Sequence, residues 1–333
     1  MKRRDFIKGV AVYTPGLALP LVAGAGYIQG CGPGSGVVPP CDTMCEVPSP
    51  RAGMRETNFA NWKLPVLNNL LGSGSENKWI PVDLIHFRDK LKGFANNSSY
   101  NGMRVYFAVA DQGVNSPTNL PPDQVGKLTV IFVPTIINSN YAKGGDDDPS
   151  QCWWLYNKIQ YNFPKRDPAH PENDGANRWI SNYRAYKVGG PKGLRADGRK
   201  NSGNKKFEET NSIWYDMAYI KGQTLSDGTI DCGMIGYIND RLNSTTDQID
   251  SLNVRFGGYD MSENSDSFPY YQLLVQFDFY KQGTDKVFTF GSSNGEEFFR
   301  KKGLDIKKFR LAGGTTDTGL PCPPADSCNG TGF

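Results

Sequence analysis

Histidine is almost missing: His86 and His170 are the only two among 333 residues. That shortage excludes a hydrolase built on a three-histidine metal site. A serine triad would have to use one of the two. Long apolar runs are also lacking. The stretch from Val10 to Ile28 is broken by Pro15, Gly16, Pro20, Gly24 and Gly26, whereas a membrane span needs roughly 20 mainly apolar residues in continuous helix. Nor is there a surplus of one charge in the body of the chain. The formal +3 is accounted for by Lys2, Arg3, Arg4 and Lys8 against Asp5, which leaves the remainder neutral. The densest basic stretch, Lys192 to Lys206, includes Arg195, Arg199, Lys200 and Lys205 but is interrupted by Asp197 and glycines. It reads as an exposed loop, not a phosphate-neutralising surface, so nucleic acid is not an expected partner.

What is present begins at the N-terminus. A basic start followed by a weakly apolar stretch has the order of an export signal. Arg3-Arg4-Asp5-Phe6-Ile7-Lys8 resembles a twin-arginine signal, with paired arginines, one variable residue, an apolar pair and lysine. That resemblance implies recognition by the twin-arginine export machinery and passage across the bacterial inner membrane in a folded state. Two ends of the signal compete. Ala23-Gly24-Ala25 fits ordinary small-x-small cleavage, while Ile28-Gln29-Gly30-Cys31 looks like a lipoprotein processing site that would place lipid on Cys31. The favoured expectation is a protein facing the periplasm or the cell surface, anchored to a membrane through Cys31.

Cysteine counting agrees with that preference. There are seven: Cys31, Cys41, Cys45, Cys152, Cys232, Cys322 and Cys328. Lipidation of Cys31 leaves six, enough for three disulfides in an oxidising compartment, in any of 15 pairings. A zinc knuckle is disfavoured: Cys41 and Cys45 have a permitted gap, but Cys322 and Cys328 are five residues apart and no histidine lies near either pair.

Along the chain, residues 1–30 read as signal and 31–57 as a Gly/Pro-rich tether. A first α+β unit is expected over 58–175, a second over 176–312, and a Cys/Pro-rich tail over 313–333. Leu84, Phe87, Leu91 and Phe94 recur at helical spacing, with Asp83, His86 and Lys90 on the other side. Met103 to Ala110 and Leu128 to Val133 are rich in strand formers and predict adjacent antiparallel strands. Their near-continuous apolarity predicts a sheet covered on at least part of both faces. Trp179, Ile180 and Tyr183 predict a short amphipathic helix, and Val287 to Phe290 an edge strand. Val254-Arg255-Phe256 echoes Met103 to Phe107, and Leu273-Leu274-Val275 echoes Thr129-Val130-Ile131. The fold class expected is therefore α+β, with antiparallel sheets and packed helices, possibly as two related units.

The search for chemistry yields weak candidates. Asp231-Cys232-Gly233 superficially resembles the nucleophile region of secreted NlpC-type cysteine hydrolases, but those place their histidine after the cysteine and both histidines here precede it. Cys232 is better read as a disulfide partner or a buried thiol. His86 and His170 read as solvated residues. Asp146-Asp147-Asp148 offers three hard oxygen ligands for calcium, without a full calcium loop. Trp153-Trp154 could stack on sugar or anchor a peptide, although consecutive aromatics point opposite ways on a strand, so core packing competes.

Across most of the body, the helix before Gly102-Met103-Arg104-Val105-Tyr106-Phe107, the stretch Trp179 to Arg184 and the tail Asp317 to Pro324 with Cys328 resemble uncharacterised exported proteins of Bacteroidota. The resemblance implies compartment and disulfides and transfers no catalytic residue. The expected function is a binding or structural-interaction module of the cell envelope, with glycan or protein as partner. The alternatives are an envelope-directed hydrolase and a purely architectural protein.

Overall fold

A computed structural model describes residues 46–47, 49–72, 74–136, 146–165, 169, 174–189, 192–194, 209–224, 230–258, 273–284, 287–291 and 320–322. In chain order the elements are β1 (Glu46–Val47), α1 (Ser49–Asn58), a first π-helix (Phe59–Lys63), α2 (Leu64–Leu71), β2 (Trp79–Val82), α3 (Leu84–Ala95), β3 (Tyr100–Val109), β4 (Leu128–Ile136), β5 (Asp146–Asp147), β6 (Trp153–Tyr156) and β7 (Ile159–Asn162). There follow α4 (Gly175–Asn182), a second π-helix (Tyr183–Val188), β8 (Ser212–Asp216), α5 (Met217–Lys221), β9 (Gln223–Thr224), β10 (Ile230–Asp231), α6 (Gly233–Leu242), β11 (Ser251–Gly258), β12 (Leu273–Tyr280), β13 (Val287–Gly291) and β14 (Leu320–Cys322).

The α3 stripe forms as its spacing requires. Asp83 caps the helix by accepting the His86 N–H at 2.9 Å. Leu84, Phe87, Leu91 and Phe94 are its buried residues. β3 and β4 pair antiparallel from Tyr100↔Ile136 to Val109↔Leu128. The pairing shifts at Gly102, where an added Cβ would come within 2.4 Å of the Tyr215 carbonyl oxygen on β8.

The strands form two large antiparallel sheets. One runs β1-β13-β12-β11-β2; the other runs β14-β8-β3-β4-β6-β7, with β5 also on β4. The expected α+β class holds, and so does the doubly covered sheet. Met103, Val105, Phe107, Leu128, Val130 and Phe132 enter a core shared with α3, α6 and the inner face of the other sheet. Tyr106, Ala108, Ile131 and Val133 alternate to the opposite face and join Trp179 and Ile180 of α4 in a second core.

The sheets are not built from separate stretches of chain. β2 lies at the edge of the sheet otherwise formed by β1, β11, β12 and β13, and β8 pairs with β3 in the other. α1 packs on β11 and α4 on β3. Gly257 allows the first of these approaches, since a Cβ there would meet Arg55 of α1 at 3.3 Å. The Gly/Pro-rich tether expected over 31–57 overlaps α1, because buried Ala52 and Arg55 bind that stretch to the sheet.

Two expectations are corrected. A body with all six remaining cysteines paired is overturned by Cys152, which is a free, buried thiol. Cys232 is disulfide-bonded, but no disulfide joins two cysteines whose side chains are described. For the expected membrane association, no helix among the described residues is long and apolar enough to cross a bilayer. Arg3, Arg4, Cys31, Cys41, Cys45 and Cys328 lie outside the described residues, as does the Cys322 side chain.

Candidate functional site

The two π-helices carry the most unusual chemistry. Such segments are rare and often occur at functional places. In the first, Phe59 and Lys63 are buried while Trp62 is 47% exposed. In the second, Tyr183 and Lys187 are buried while Tyr186 is 63% exposed. Each therefore presents one large aromatic to solvent immediately before a lysine turned into the protein.

Each buried lysine meets a buried carboxylate. Lys187 Nζ donates to Glu76 Oε2 at 2.7 Å, and Lys63 donates to Glu209. Burying a charge is costly unless it is paired and hydrogen-bonded, and both carboxylates have further partners. Glu76 Oε1 accepts the N–H of Leu128 at 2.7 Å and of Asn77 at 3.0 Å. Glu209 Oε1 accepts the N–H of Leu273 at 2.6 Å and of Thr210 at 2.9 Å. Leu128 and Leu273 are the first residues of β4 and β12, so each pair also fixes where a strand begins.

A third cluster holds the loop after β3. Asp111 accepts from Arg178 (2.8 Å), Asn182 (2.7 Å), the Gly113 N–H (2.8 Å), Ser116 (3.2 Å) and Trp179 Nε1 (3.2 Å). Burial alone would raise its carboxyl, but the hydrogen bonds from Arg178 and Gly113 outweigh it and hold the group below its ordinary value.

The sequence-predicted site residues fall elsewhere. Trp153 and Trp154 are 1% and 0% exposed, pointing into the two different cores. Trp153 stacks on Phe132 with ring centroids 4.2 Å apart, and Trp154 Nε1 donates to Thr129 at 2.8 Å. Neither leaves a face for a ligand. The acidic triplet is corrected as a calcium site for a related reason: its carboxylates do not converge. Asp147 is buried between Arg104 and Tyr106. Asp148 caps a short turn through Ser150 and accepts from Tyr100 at 2.7 Å. Among the described residues no group of three or more His, Cys, Asp or Glu could hold a metal ion.

Nucleophilic chemistry fares no better. Burial, reinforced by Asp147, Asp174 and Asp148, pushes the Cys152 thiol well above its ordinary value, leaving it protonated and unreactive. His86 is half-exposed, with its Nδ1 3.3 Å from the Asp83 carboxylate; His170 lies outside the described residues. Asp111, Asp147, Glu76 and Glu209 each already hold a basic side chain.

The chain matches no family model, no curated protein and no solved structure. The reading therefore rests on its own residues. Sequence reasoning missed Lys63, Glu76, Lys187 and Glu209, because isolated charges usually mark solvated surface. The available signal was Glu76-x-x-x-Ile80-x-x-Asp83 recurring as Glu209-x-x-x-Ile213-x-x-Asp216.

Proposed function

We propose that this chain is an exported interaction module that contacts envelope glycan or protein through Trp62 and Tyr186. The observation carrying the reading is the matched exposure of these two aromatics, each one residue before a buried, ion-paired lysine. Aromatic faces supply large contact area with little conformational entropy to lose and stack well on sugar rings and peptide side chains. The lysine pairs hold the segments that present them. Export is supported by Arg3-Arg4-Asp5-Phe6-Ile7-Lys8 ahead of a weakly apolar stretch.

The test is co-sedimentation of purified protein with insoluble envelope material, comparing wild type with Trp62→Ala/Tyr186→Ala. The double variant should keep its fold by circular dichroism and lose at least about tenfold in affinity, as expected when central aromatic contacts are removed. Binding equal to wild type would refute the assignment of this surface. For location, Arg3→Lys/Arg4→Lys should leave the full-length chain in the cytoplasm. Unchanged export would refute the twin-arginine route.

A further inference from the structure

The two π-helices match residue by residue. Phe59, Ala60, Asn61, Trp62 and Lys63 are buried, half-buried, exposed, exposed and buried; Tyr183, Arg184, Ala185, Tyr186 and Lys187 follow the same order. The correspondence extends through the fold. Asn77 and Thr210 follow Glu76 and Glu209 and donate to them in the same way. Ile80 pairs with Val254 on β11, and Ile213 with Val105 on β3. Leu128 pairs with Val109 within one hairpin, and Leu273 with Gly258 within the other. Val105-x-Phe107 thus corresponds to Val254-x-Phe256.

The aromatics show how the two sets fit together. Phe59 meets Phe256 with centroids 5.8 Å apart and planes at 31°. Tyr183 meets Phe107 at 5.6 Å and 32°. Phe107 and Phe256 meet each other at 6.1 Å. The four rings form a row whose halves repeat, with the Phe107–Phe256 contact at its centre. Every one of these relations crosses between the earlier and later segments: Phe59 on Phe256, Tyr183 on Phe107, β2 on β11, β8 on β3, Lys63 on Glu209 and Lys187 on Glu76.

From this we infer that the chain is two copies of one structural unit that complete each other reciprocally. The crossed pairs Lys63–Glu209 and Lys187–Glu76 are equivalent latches. In each, a lysine from one copy holds a carboxylate of the other copy, and that carboxylate anchors the first residue of a strand of its own copy: Lys63 through Glu209 to Leu273, Lys187 through Glu76 to Leu128. This goes beyond the binding reading and does not depend on it.

The latches make a crossed prediction for amide exchange. In Lys63→Met the N–H of Leu273 should exchange at least about tenfold faster, as the Glu209 carboxylate that it donates to loses its cation, while Leu128 stays within about twofold of wild type. Lys187→Met should show the mirror image, with Leu128 released and Leu273 unchanged. Lys63→Arg and Lys187→Arg keep the charge; if a methionine variant does not fold, they should give the same pattern at smaller amplitude. Acceleration of both amides by either substitution, or of neither, would overturn the latch assignment. Equivalence of the copies has its own arm. Replacing residues 183–187 by the order Phe-Ala-Asn-Trp-Lys should preserve a cooperative thermal transition, whereas the same five residues in scrambled order should abolish it. Equal damage from both grafts would overturn the correspondence.

Discussion

Lys187→Met removes one half of a buried pair whose side chains are 3% and 0% exposed. Removing one partner of such a pair costs about 3–5 kcal/mol, because the other charge remains buried. Glu76 keeps its two backbone donors, Leu128 and Asn77, which places the expectation near the lower end, about 3 kcal/mol. Glu76→Gln should cost a similar amount, since Lys187 loses its counter-charge and the single amide oxygen can serve either Lys187 or the two backbone donors now on Oε1, not both. The double variant Lys187→Met/Glu76→Gln leaves no buried charge at this place. It should be less destabilised than the sum of the singles by about 1–3 kcal/mol. Urea denaturation of the four proteins gives the free energies from midpoints at constant slope. For a chain of this size the single variants should also melt roughly 6–12 °C lower, at about 2–4 °C per kcal/mol. A Lys187→Met protein within about 1 kcal/mol of wild type, or a double variant as damaged as the two singles together, would refute the reasoning.

Two further outcomes are expected. Cys152 should resist alkylation by iodoacetamide at pH 8 in the native protein and react fully in denaturant, because burial keeps its thiol protonated and covered; rapid native labelling at Cys152, mapped by peptide mass, would contradict this. Asp111 has a folded value held below the ordinary 3.8, so its contribution to stability is complete above that value and is lost as pH falls through the lower folded one. Wild type should consequently lose more stability than Asp111→Asn on acidification below about pH 3.8, and parallel acid profiles would count against the Arg178 pairing as its cause.

Local patterns in the sequence reached as far as local physics does. The α3 stripe at Leu84, Phe87, Leu91 and Phe94 and the β3–β4 pair were readable, since spacing alone decides which side chains share a face. The double covering of that sheet was readable from the unbroken apolar run. The reciprocal placement of β2 and β8 was not. Trp79–Val82 is four residues long, and nothing in it states that its partner lies near Val254. Lys63 and Lys187 carry the same chemical signature as surface lysines; only the donors converging on Glu76 and Glu209 reveal their burial. The π-helices escaped because their wider turn breaks the 3.6-residue periodicity by which helices are recognised. Trp153 and Trp154 were visible as unusual, but adjacency could say only that they diverge, not that both ends of the divergence are covered.

That divergence gives the molecule two built-in optical probes of different layers. Trp154 donates from its indole nitrogen to Thr129, whereas the indole nitrogen of Trp153 has no hydrogen-bond acceptor among the described residues. Neighbours in the chain thus sit in electronically distinct surroundings on either side of one sheet. Four other tryptophans also emit, so the contribution of each is read as the difference between wild type and Trp153→Phe or Trp154→Phe, and loosening of the layer beneath α4 can then be compared with that of the layer between the sheets.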